Sequence, residues 1–206
     1  MSQSIAFIGV GNMGCPMAEN LMKVGKSVKV FDVSKKMLEI ARDKNLEIIE
    51  NLDDLITADV KTVITMLPEG KHSKEVYLGE SGIINKVSKK CLLIDCSTID
   101  IQTSIEIGKK ASEKGIQMID APVSGGVMGA QKATLNIMVG GSKEAFEKAL
   151  PLLKIMGKNI FHAGDLGSGN GAKICNNMAL GIAMGNLAID NLDEFFRTGN
   201  CINKVN

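Results

Sequence analysis

Short apolar runs alternate with longer amphipathic stretches along most of the chain. An apolar run closed by Gly, Asp or Pro is typical of a strand buried on both faces, whereas apolar residues spaced three and four apart indicate a helix. Runs of the first kind predict strands at 5–8, 28–31, 47–49, 63–67, 92–94 and 117–120. Helical spacing fills 13–24, 34–43 and 100–114. This alternation predicts βαβ units, and therefore an α/β fold with a doubly wound, mainly parallel sheet.

The alternation changes after Asp120. Gly125–Gly129 is rich in glycine and predicts a long loop. Beyond it, the pattern predicts strands at 135–139 and 158–162 and a helix at 143–155. A further helix is predicted from about Gly169 to beyond Leu192, with Asn170 or a neighbouring glycine as its N-cap. The fold is therefore expected to end in a long helix.

Charge and aromatic content argue against several kinds of partner. The 206 residues include 24 basic and 23 acidic side chains, and this near balance favours neither nucleic acid nor an anionic membrane. Aromatic residues make up only 3% and Trp is absent, which argues against a stacking surface for single strands. No apolar run approaches the ~20 residues that span a bilayer. The first predicted strand begins at about Ser4, which leaves no room for a leader peptide.

The cysteines indicate a reduced compartment. Their number is odd and no CxxC pair occurs, which is unlike a disulfide framework. The five are Cys15, Cys91, Cys96, Cys175 and Cys201. Most lie in apolar surroundings and are expected to be small buried hydrophobic residues. A cytoplasmic protein without a metal site is the expectation.

A glycine-rich segment follows the first predicted strand. Gly9, Gly11 and Gly14 match the GxGxxG pattern of dinucleotide-binding Rossmann-type folds, in the required position between a strand and a helix. The spacing allows a tight turn, close approach of a pyrophosphate, and close packing of helix on strand. The helix N-terminus then offers free N–H groups to the phosphates. The alternative is a glycine-rich turn that binds nothing.

An acidic residue ends the second predicted strand. Asp32 lies 21 residues after Gly11, where a carboxylate can accept hydrogen bonds from the ribose hydroxyls of NAD. The same charge would repel the 2′-phosphate of NADP, although Lys35 and Lys36 could soften that discrimination. The alternative is an exposed Asp that caps the next helix.

Further candidates lie at the carboxyl ends of predicted parallel strands, the edge at which open α/β sheets bind ligands. Met66-Leu67-Pro68 lies at the carboxyl end of one such strand and Ser97-Thr98 at that of another. Both could equally be ordinary turns.

The segment after Asp120 holds a candidate carboxylate-binding loop. Ser124 followed by Gly125 and Gly126 presents a hydroxyl and unobstructed N–H groups. A structural glycine turn is the alternative. A nucleophilic serine is disfavoured, because GxSxG is not matched. The only histidines are His72 and His162, too few to support a triad or a metal site, and His162 is expected to be structural.

A lysine in the last predicted helix is the candidate acid/base. Lys173 and Asn177 are four residues apart and so lie on one helix face. A lysine whose pKa is lowered by burial can remove the proton of a hydroxyl group during hydride transfer. Asn177 could orient the substrate. The alternative is a lysine that extends from the helix surface into water.

Taken together, these motifs resemble the β-hydroxyacid dehydrogenase family. The resemblance rests on the order and spacing of GVGNMG with PMAENL, DAPVSGG, and GSGNGAKICNN. It covers residues 4 to about 184 and implies NAD-dependent oxidation of a small 3-hydroxy acid.

The resemblance also implies the role of each site residue. Lys173 is the implied catalytic residue. The implied substrate-binding residues are Ser124, Gly125, Gly126 and Asn177. The implied cofactor-binding residues are Gly9, Gly11, Asn12, Met13, Gly14, Asp32, Leu67, Pro68, His72 and Thr98.

The chain departs from the family pattern near its end. Family members continue the long helix into a second, all-helical domain, whereas the match fades here from about Gly185. We therefore expect an NAD-binding Rossmann-type domain at 1–165, and the inter-domain helix with a divergent tail at 166–206. Three functions stay open: a dehydrogenase that associates through the exposed helix, an NAD-binding remnant without turnover, and a reductase of a related semialdehyde.

Overall fold

A computed structural model describes the backbone of residues 4–198 and the side chains of residues 4–186. Cys201 and the end of the predicted tail lie outside these residues. The strands are β1 (Ser4–Ile8), β2 (Ser27–Phe31), β3 (Glu47–Ile48), β4 (Val60–Thr65), β5 (Leu92–Asp95), β6 (Gln117–Asp120), β7 (Val123–Ser124), β8 (Leu135–Gly140) and β9 (Gly157–Gly164). The helices are α1 (Gly14–Lys23), α2 (Lys35–Asp43), α3 (Leu52–Leu55), α4 (Gly70–Leu78), α5 (Ile101–Glu113), α6 (Gly126–Gln131), α7 (Lys143–Met156) and α8 (Ser168–Thr198).

All of these strands belong to one sheet. Six of them lie in the order β3-β2-β1-β4-β5-β6, and every pair in that row is parallel. Strand β8 then runs antiparallel to both β6 and β7, and β9 pairs parallel with β8. The predicted α/β fold, with a doubly wound, mainly parallel sheet and a long helix at its end, is confirmed.

The central strands are apolar on both faces because the sheet separates two buried clusters. Phe7, Ile64 and Ile94 belong to the cluster on one side. Their neighbours Ile8 and Leu93 belong to the other. Successive side chains of a strand point to opposite faces, so a continuous apolar run is what a sheet covered on both sides requires.

Three helices, the short α3 and the helices α4 and α6, were not expected from the sequence. The predicted loop at Gly125–Gly129 is wrong, because α6 occupies most of it. The backbone turns first, with positive φ angles of +130° at Gly125 and +62° at Gly126. The short helix is then held to α1, where the buried Asn20 Nδ2 donates to the Ala130 carbonyl oxygen at 2.7 Å. That contact is distant in sequence and leaves no local pattern.

Helix α4 was missed for a related reason. It buries only Ser73 and Tyr77 and has no side-chain hydrogen bond at its N-cap. It therefore shows neither apolar periodicity nor a capping residue, the two features by which a helix is recognised in sequence. Within the described part of the chain, no helix is both long and apolar enough to cross a membrane.

Candidate functional site

The three glycines between β1 and α1 differ in what surrounds them. Gly9 has φ +91°, and a Cβ there would collide with the carbonyl oxygen of Met66. A Cβ on Gly14 would collide with the carbonyl oxygen of Gly9. A Cβ on Gly11 would meet no atom within 4 Å. Gly9 and Gly14 therefore permit close packing, whereas Gly11 keeps the space above the turn clear.

The N-terminus of α1 opens onto this space. Met13 is its N-cap and makes no side-chain hydrogen bond to the first turn. The N–H groups at the start of the helix are then available to an anion, and the helix dipole favours negative charge there.

A cleft of about 450 Å³ lies beside the glycine turn. The predicted cofactor residues that line it are Gly9, Gly11, Asn12, Met13, Gly14, Asp32, Leu67, Pro68 and His72. Thr98 is exposed and is not among the lining residues. Met66, from the predicted strand end, also lines the cleft, as do Glu75 and Val76, which were not predicted because α4 was missed. The structure thus gathers in one cleft residues that the sequence spreads over more than sixty positions.

Both carboxylate oxygens of Asp32 accept hydrogen bonds from backbone N–H groups of the protein. Its Oδ2 accepts from the Val10 N–H at 2.9 Å, and its Oδ1 accepts from the Ser34 N–H at 2.8 Å. Each carboxylate oxygen retains a lone pair that a hydroxyl donor can use. The cap of α2 is Ser34, whose Oγ accepts from the Met37 N–H at 3.4 Å. Asp32 therefore joins the end of β2 to the glycine turn and is not the helix cap.

A buried polar network supports the loops that follow β4 and β5. Asp95 Oδ1 accepts from Thr65 Oγ1 at 2.8 Å and from the Ser97 N–H at 2.9 Å. Ser97 Oγ in turn accepts from the Leu67 N–H at 2.8 Å, and the Tyr77 hydroxyl lies 2.8 Å from Thr65 Oγ1. Asp95 is fully buried, and this desolvation raises the pKa of its carboxyl group. Sequence reasoning missed the network, because it gave no role to the polar residues inside strands.

The start of α8 is held by an acceptor from another element. Asp120, at the end of β6, is fully buried. Its Oδ1 accepts from the Gly167 N–H and its Oδ2 from the Asn170 N–H, each at 2.7 Å. A cap at Asn170 is therefore wrong, because α8 begins at Ser168 and Asn170 lies within its first turn. A glycine, Gly167, directly precedes the helix, and Asp120 accepts the N–H groups of Gly167 and Asn170.

The side chain of Asn170 is used elsewhere. Its Oδ1 accepts from the Ile99 N–H at 3.0 Å, and its Nδ2 donates to Ser104 Oγ at 2.9 Å and, more distantly, to Asp120 Oδ2 at 3.4 Å. Asn170 is fully buried. It therefore joins α8 to the loop at Thr98 and to α5.

Lys173 lies one turn further along α8. It is only 8% exposed, whereas most residues of α8 from Ile174 to Asn186 are open to solvent. Burial lowers the pKa of its amine, because desolvation disfavours the charged form. The environment of Lys173 is thus unlike that of a surface lysine, and its lowered pKa makes it easier for the amine to give up its proton.

The Ser124 loop faces the same helix. Ser124 lies on β7, directly before the two positive-φ glycines Gly125 and Gly126. Its Oγ accepts from Asn176 Nδ2 at 3.4 Å, whereas Asn177 is exposed. Sequence reasoning selected Asn177 by its four-residue spacing from Lys173 and passed over Asn176, which is three residues away and on an adjoining face.

The remaining polar candidates have structural surroundings. His162 stacks on Phe146 with ring centroids 4.7 Å apart, and its Nε2 lies 2.7 Å from the Gly141 carbonyl oxygen. Cys15, Cys91 and Cys96 are buried, and burial raises the pKa of Cys91 to about 12. In the described residues, His, Cys, Asp and Glu form no group that could hold a metal ion.

The sequence of the chain is similar to those of known proteins. Residues 4–164 match the family described as the NAD binding domain of 6-phosphogluconate dehydrogenase. A 3-hydroxyisobutyrate dehydrogenase of Pseudomonas aeruginosa is 48% identical, over 89% of this chain and 61% of that protein. An NAD-dependent L-serine dehydrogenase of the same organism is 44% identical, over 88% of this chain and 61% of that protein.

The similarity extends to solved structures. A 3-hydroxyisobutyrate dehydrogenase of Mycobacterium tuberculosis, solved with L-serine, superposes with a TM-score of 0.89 at 36% identity. That alignment covers 97% of this chain and 67% of the other. The chain spans 61% of the length of the two curated relatives from Pseudomonas aeruginosa.

Proposed function

Because the chain belongs to the family of the NAD binding domain of 6-phosphogluconate dehydrogenase, we propose that it takes part in the NAD-dependent oxidation of a small 3-hydroxy acid. The predicted resemblance to β-hydroxyacid dehydrogenases and the predicted cofactor NAD are both confirmed by its relatives, whereas the division into a domain at 1–165 and a helix with a tail at 166–206 stays a prediction. The observation that carries the proposal is the buried Lys173 on α8, a helix that Asn176 links to Ser124 and that Asn170 links to the predicted cofactor loop at Thr98.

The cleft fits a dinucleotide. Gly11 leaves room where a pyrophosphate would approach, and the uncapped start of α1 supplies N–H donors. The lone pairs of Asp32 are suited to ribose hydroxyls, and its charge opposes a 2′-phosphate, so we propose a preference for NAD over NADP. When bound, NAD supplies the acceptor for a hydride.

Lys173 on α8 then exchanges the proton of the substrate, and the segment 124–126 binds the substrate carboxylate. Neutral Lys173 Nζ takes the proton of the substrate hydroxyl as the C–H bond at the same carbon breaks, and returns a proton to the oxygen in the reverse direction. The N–H groups of Gly125 and Gly126 and the Ser124 hydroxyl are suited to the substrate carboxylate. Asn177, and Asn176 beside it, are suited to orient the same molecule.

We propose 3-hydroxyisobutyrate as the substrate, oxidised to methylmalonate semialdehyde, a reaction of valine degradation. The names of the Pseudomonas aeruginosa and Mycobacterium tuberculosis dehydrogenases support this choice. The L-serine dehydrogenase supports a second candidate, L-serine, which is also a 3-hydroxy acid. An NAD-binding chain without turnover and a reductase of a related semialdehyde stay open as alternatives, and the cytoplasmic location stays a prediction.

We further propose that α8 has a protein partner, in first place a second copy of the chain. Met178, Ile182 and Met184 on this helix are each more than 60% exposed. Apolar side chains so exposed along a single helix favour association.

Replacement of Lys173 tests the proposed chemistry. Lys173→Ala should lower kcat for NAD reduction by 3-hydroxyisobutyrate by ~10²- to 10⁴-fold, because the general base is lost. Binding of NAD, measured by fluorescence titration, should be unchanged, since Lys173 does not line the cofactor cleft. In the wild type the rate of oxidation should rise with pH as Lys173 loses its proton, with a midpoint below the ordinary lysine pKa of ~10.4.

Two controls make the result specific. Lys173→Arg keeps the positive charge but cannot give up a proton, and should be as inactive as the alanine variant. Lys143→Ala removes an exposed lysine of α7 and should leave the rate unchanged. A Lys173→Ala variant with wild-type turnover would exclude the acid/base role, and NAD binding without any turnover in the wild type would favour the cofactor-binding alternative.

A further inference from the structure

Two backbone hydrogen bonds hold the start of α8, on the N-terminal side of Lys173. Asp120 accepts the N–H groups of Gly167 and Asn170, each at 2.7 Å. Asn170 and Lys173 are three residues apart, so they lie on the same side of the helix, and both are buried. The anchored residue thus lies one turn before the candidate base, on the base's own face.

The same asparagine reaches the loop between β5 and α5. Its Oδ1 accepts from the Ile99 N–H at 3.0 Å, and Ile99 directly follows Thr98, the one predicted cofactor residue outside the cleft. Its Nδ2 donates to Ser104 Oγ at 2.9 Å. Asn170 therefore bonds to β6, to α5 and to the loop at Thr98 from a single side chain.

The backbone around this anchor leaves no room for adjustment. A Cβ on Gly140 would collide with Asp120 Oδ1, and a Cβ on Gly169 would collide with the Met138 carbonyl oxygen and with Asp120. The start of the helix is pressed against β6 and β8 through glycines. Its position is therefore set by the hydrogen bonds of Asp120 and Asn170 and by direct backbone contact.

We propose that Asn170, held by Asp120, is a positioning residue that fixes Lys173 relative to the cofactor loop at Thr98. The proposal deepens the function proposed above and rests on it for the role of Lys173. Loss of the side chain of Asn170 leaves the Ile99 N–H without its acceptor and breaks the link between α8 and the loop at Thr98, while the backbone bonds of Gly167 and Asn170 to Asp120 remain. Lys173 then gains access to water and is no longer held at one distance from the loop.

The test measures Lys173 directly, on the full 206-residue chain. Lysines are reductively methylated with ¹³C, the Lys173 signal is identified by its loss in Lys173→Met, and it is titrated by NMR. In Asn170→Ala we expect the pKa of Lys173 to rise toward the ordinary value of ~10.4, because the amine becomes hydrated. In steady-state assays, kcat should fall by ~10- to 100-fold while KM for the hydroxy acid changes little, as expected for misplacement of a catalytic group.

Asn20→Ala is the matched control. Asn20 is likewise a buried asparagine with a hydrogen bond to the backbone of a distant element, since its Nδ2 donates to the Ala130 carbonyl oxygen at 2.7 Å, but this bond joins α1 to α6. It should lower the melting temperature and leave the titration of Lys173 as in the wild type. Asn170→Ser breaks the same bond to Ile99 but keeps a hydroxyl beside Asp120, and provides the measurement if the alanine variant does not fold.

Asn170 variants in which Lys173 titrates as in the wild type would overturn the proposal, whatever their melting temperatures. The titration needs no turnover. A wild-type chain that fails to reduce NAD with any hydroxy acid would therefore refute the proposed function and leave the positioning role to be judged by NMR alone.

Discussion

Glycines that share one motif are required for different reasons. Gly14 is enclosed by the carbonyl oxygen of Gly9, whereas Gly11 faces open space. We expect Gly14→Ala to lower the free energy of unfolding by ~1–3 kcal/mol, because the added methyl group overpacks the turn. Gly11→Ala should change stability by less than about 0.5 kcal/mol, as most open positions do.

NAD binding should show the opposite order. A methyl group on Gly11 occupies the space that a pyrophosphate needs, so the rise in melting temperature caused by NAD should be reduced or lost. Thermal melts with and without NAD measure both the stability and the rise in melting temperature caused by NAD. Gly25→Ala is not a suitable control, because Gly25 has a φ of +80° that would strain an alanine. Gly181→Ala, in open space on α8, is the suitable one. A Gly11→Ala chain that NAD still stabilises fully would contradict the assignment of this glycine.

Individual residues were predictable where their role is local. The glycines and Asp32 were found from spacing within a single βαβ unit, and the cleft gathers them as expected. The hydrogen-bonding roles of Asp120 and Asn170 were not predicted, because their partners lie 47 to 71 residues away in the sequence. Asn176 was missed because a helix places residues at both three- and four-residue spacing near the same face.

At the scale of elements, the buried carboxyl group of Asp95 links β4, β5 and α4 through Thr65 and Tyr77. Its pKa is raised in the folded protein, so the folded state holds the proton to higher pH than the unfolded chain does. Stability contributed by this group is therefore lost as pH rises from the unfolded value of ~3.9 through the folded value.

Asp95→Asn should remove this loss. The amide carbonyl can accept from Thr65 and Ser97 as Oδ1 does, without a charge to desolvate. Urea unfolding across this pH range should show the variant gaining on the wild type as pH rises, by ~1.4 kcal/mol for each unit by which the folded pKa exceeds the unfolded one. Asp43→Asn, at the exposed end of α2, is the control. A constant difference between Asp95→Asn and the wild type at every pH would contradict the raised pKa.

Elements were predictable where burial is periodic. The central strands and the long amphipathic helices follow the apolar pattern, since both of their environments repeat along the chain. Helices α4 and α6 do not, because a few tertiary contacts hold them in place of an apolar stripe. Most of the fold could therefore be predicted, whereas the wall of the cleft formed by α4 could not.

On the scale of the whole molecule, the sheet and its two buried clusters account for the fold, whereas the candidate base Lys173 lies on α8, outside both clusters. Apolar residues such as Met178 and Ile182 lie exposed on this helix. The relatives from Pseudomonas aeruginosa are longer than this chain, which spans 61% of their length. Most residues of the candidate cofactor cleft could be predicted from sequence, because they lie within the first βαβ units, whereas the surroundings of Lys173 depend on contacts between distant segments.

The anchoring of α8 by Asp120 also has a consequence for the order in which the chain folds. The acceptor precedes the amides it binds by 47 and 50 residues, so the first turn of α8 cannot be completed by local contacts. It must await closure of the intervening chain, which is costly in entropy. We expect Asn170→Ser to unfold faster than the wild type in stopped-flow experiments and to refold at an unchanged rate, since its bonds form after the transition state. Slower refolding would place this turn in the folding nucleus, whereas an unchanged rate would mean that the helix carrying the candidate base is anchored only after the transition state.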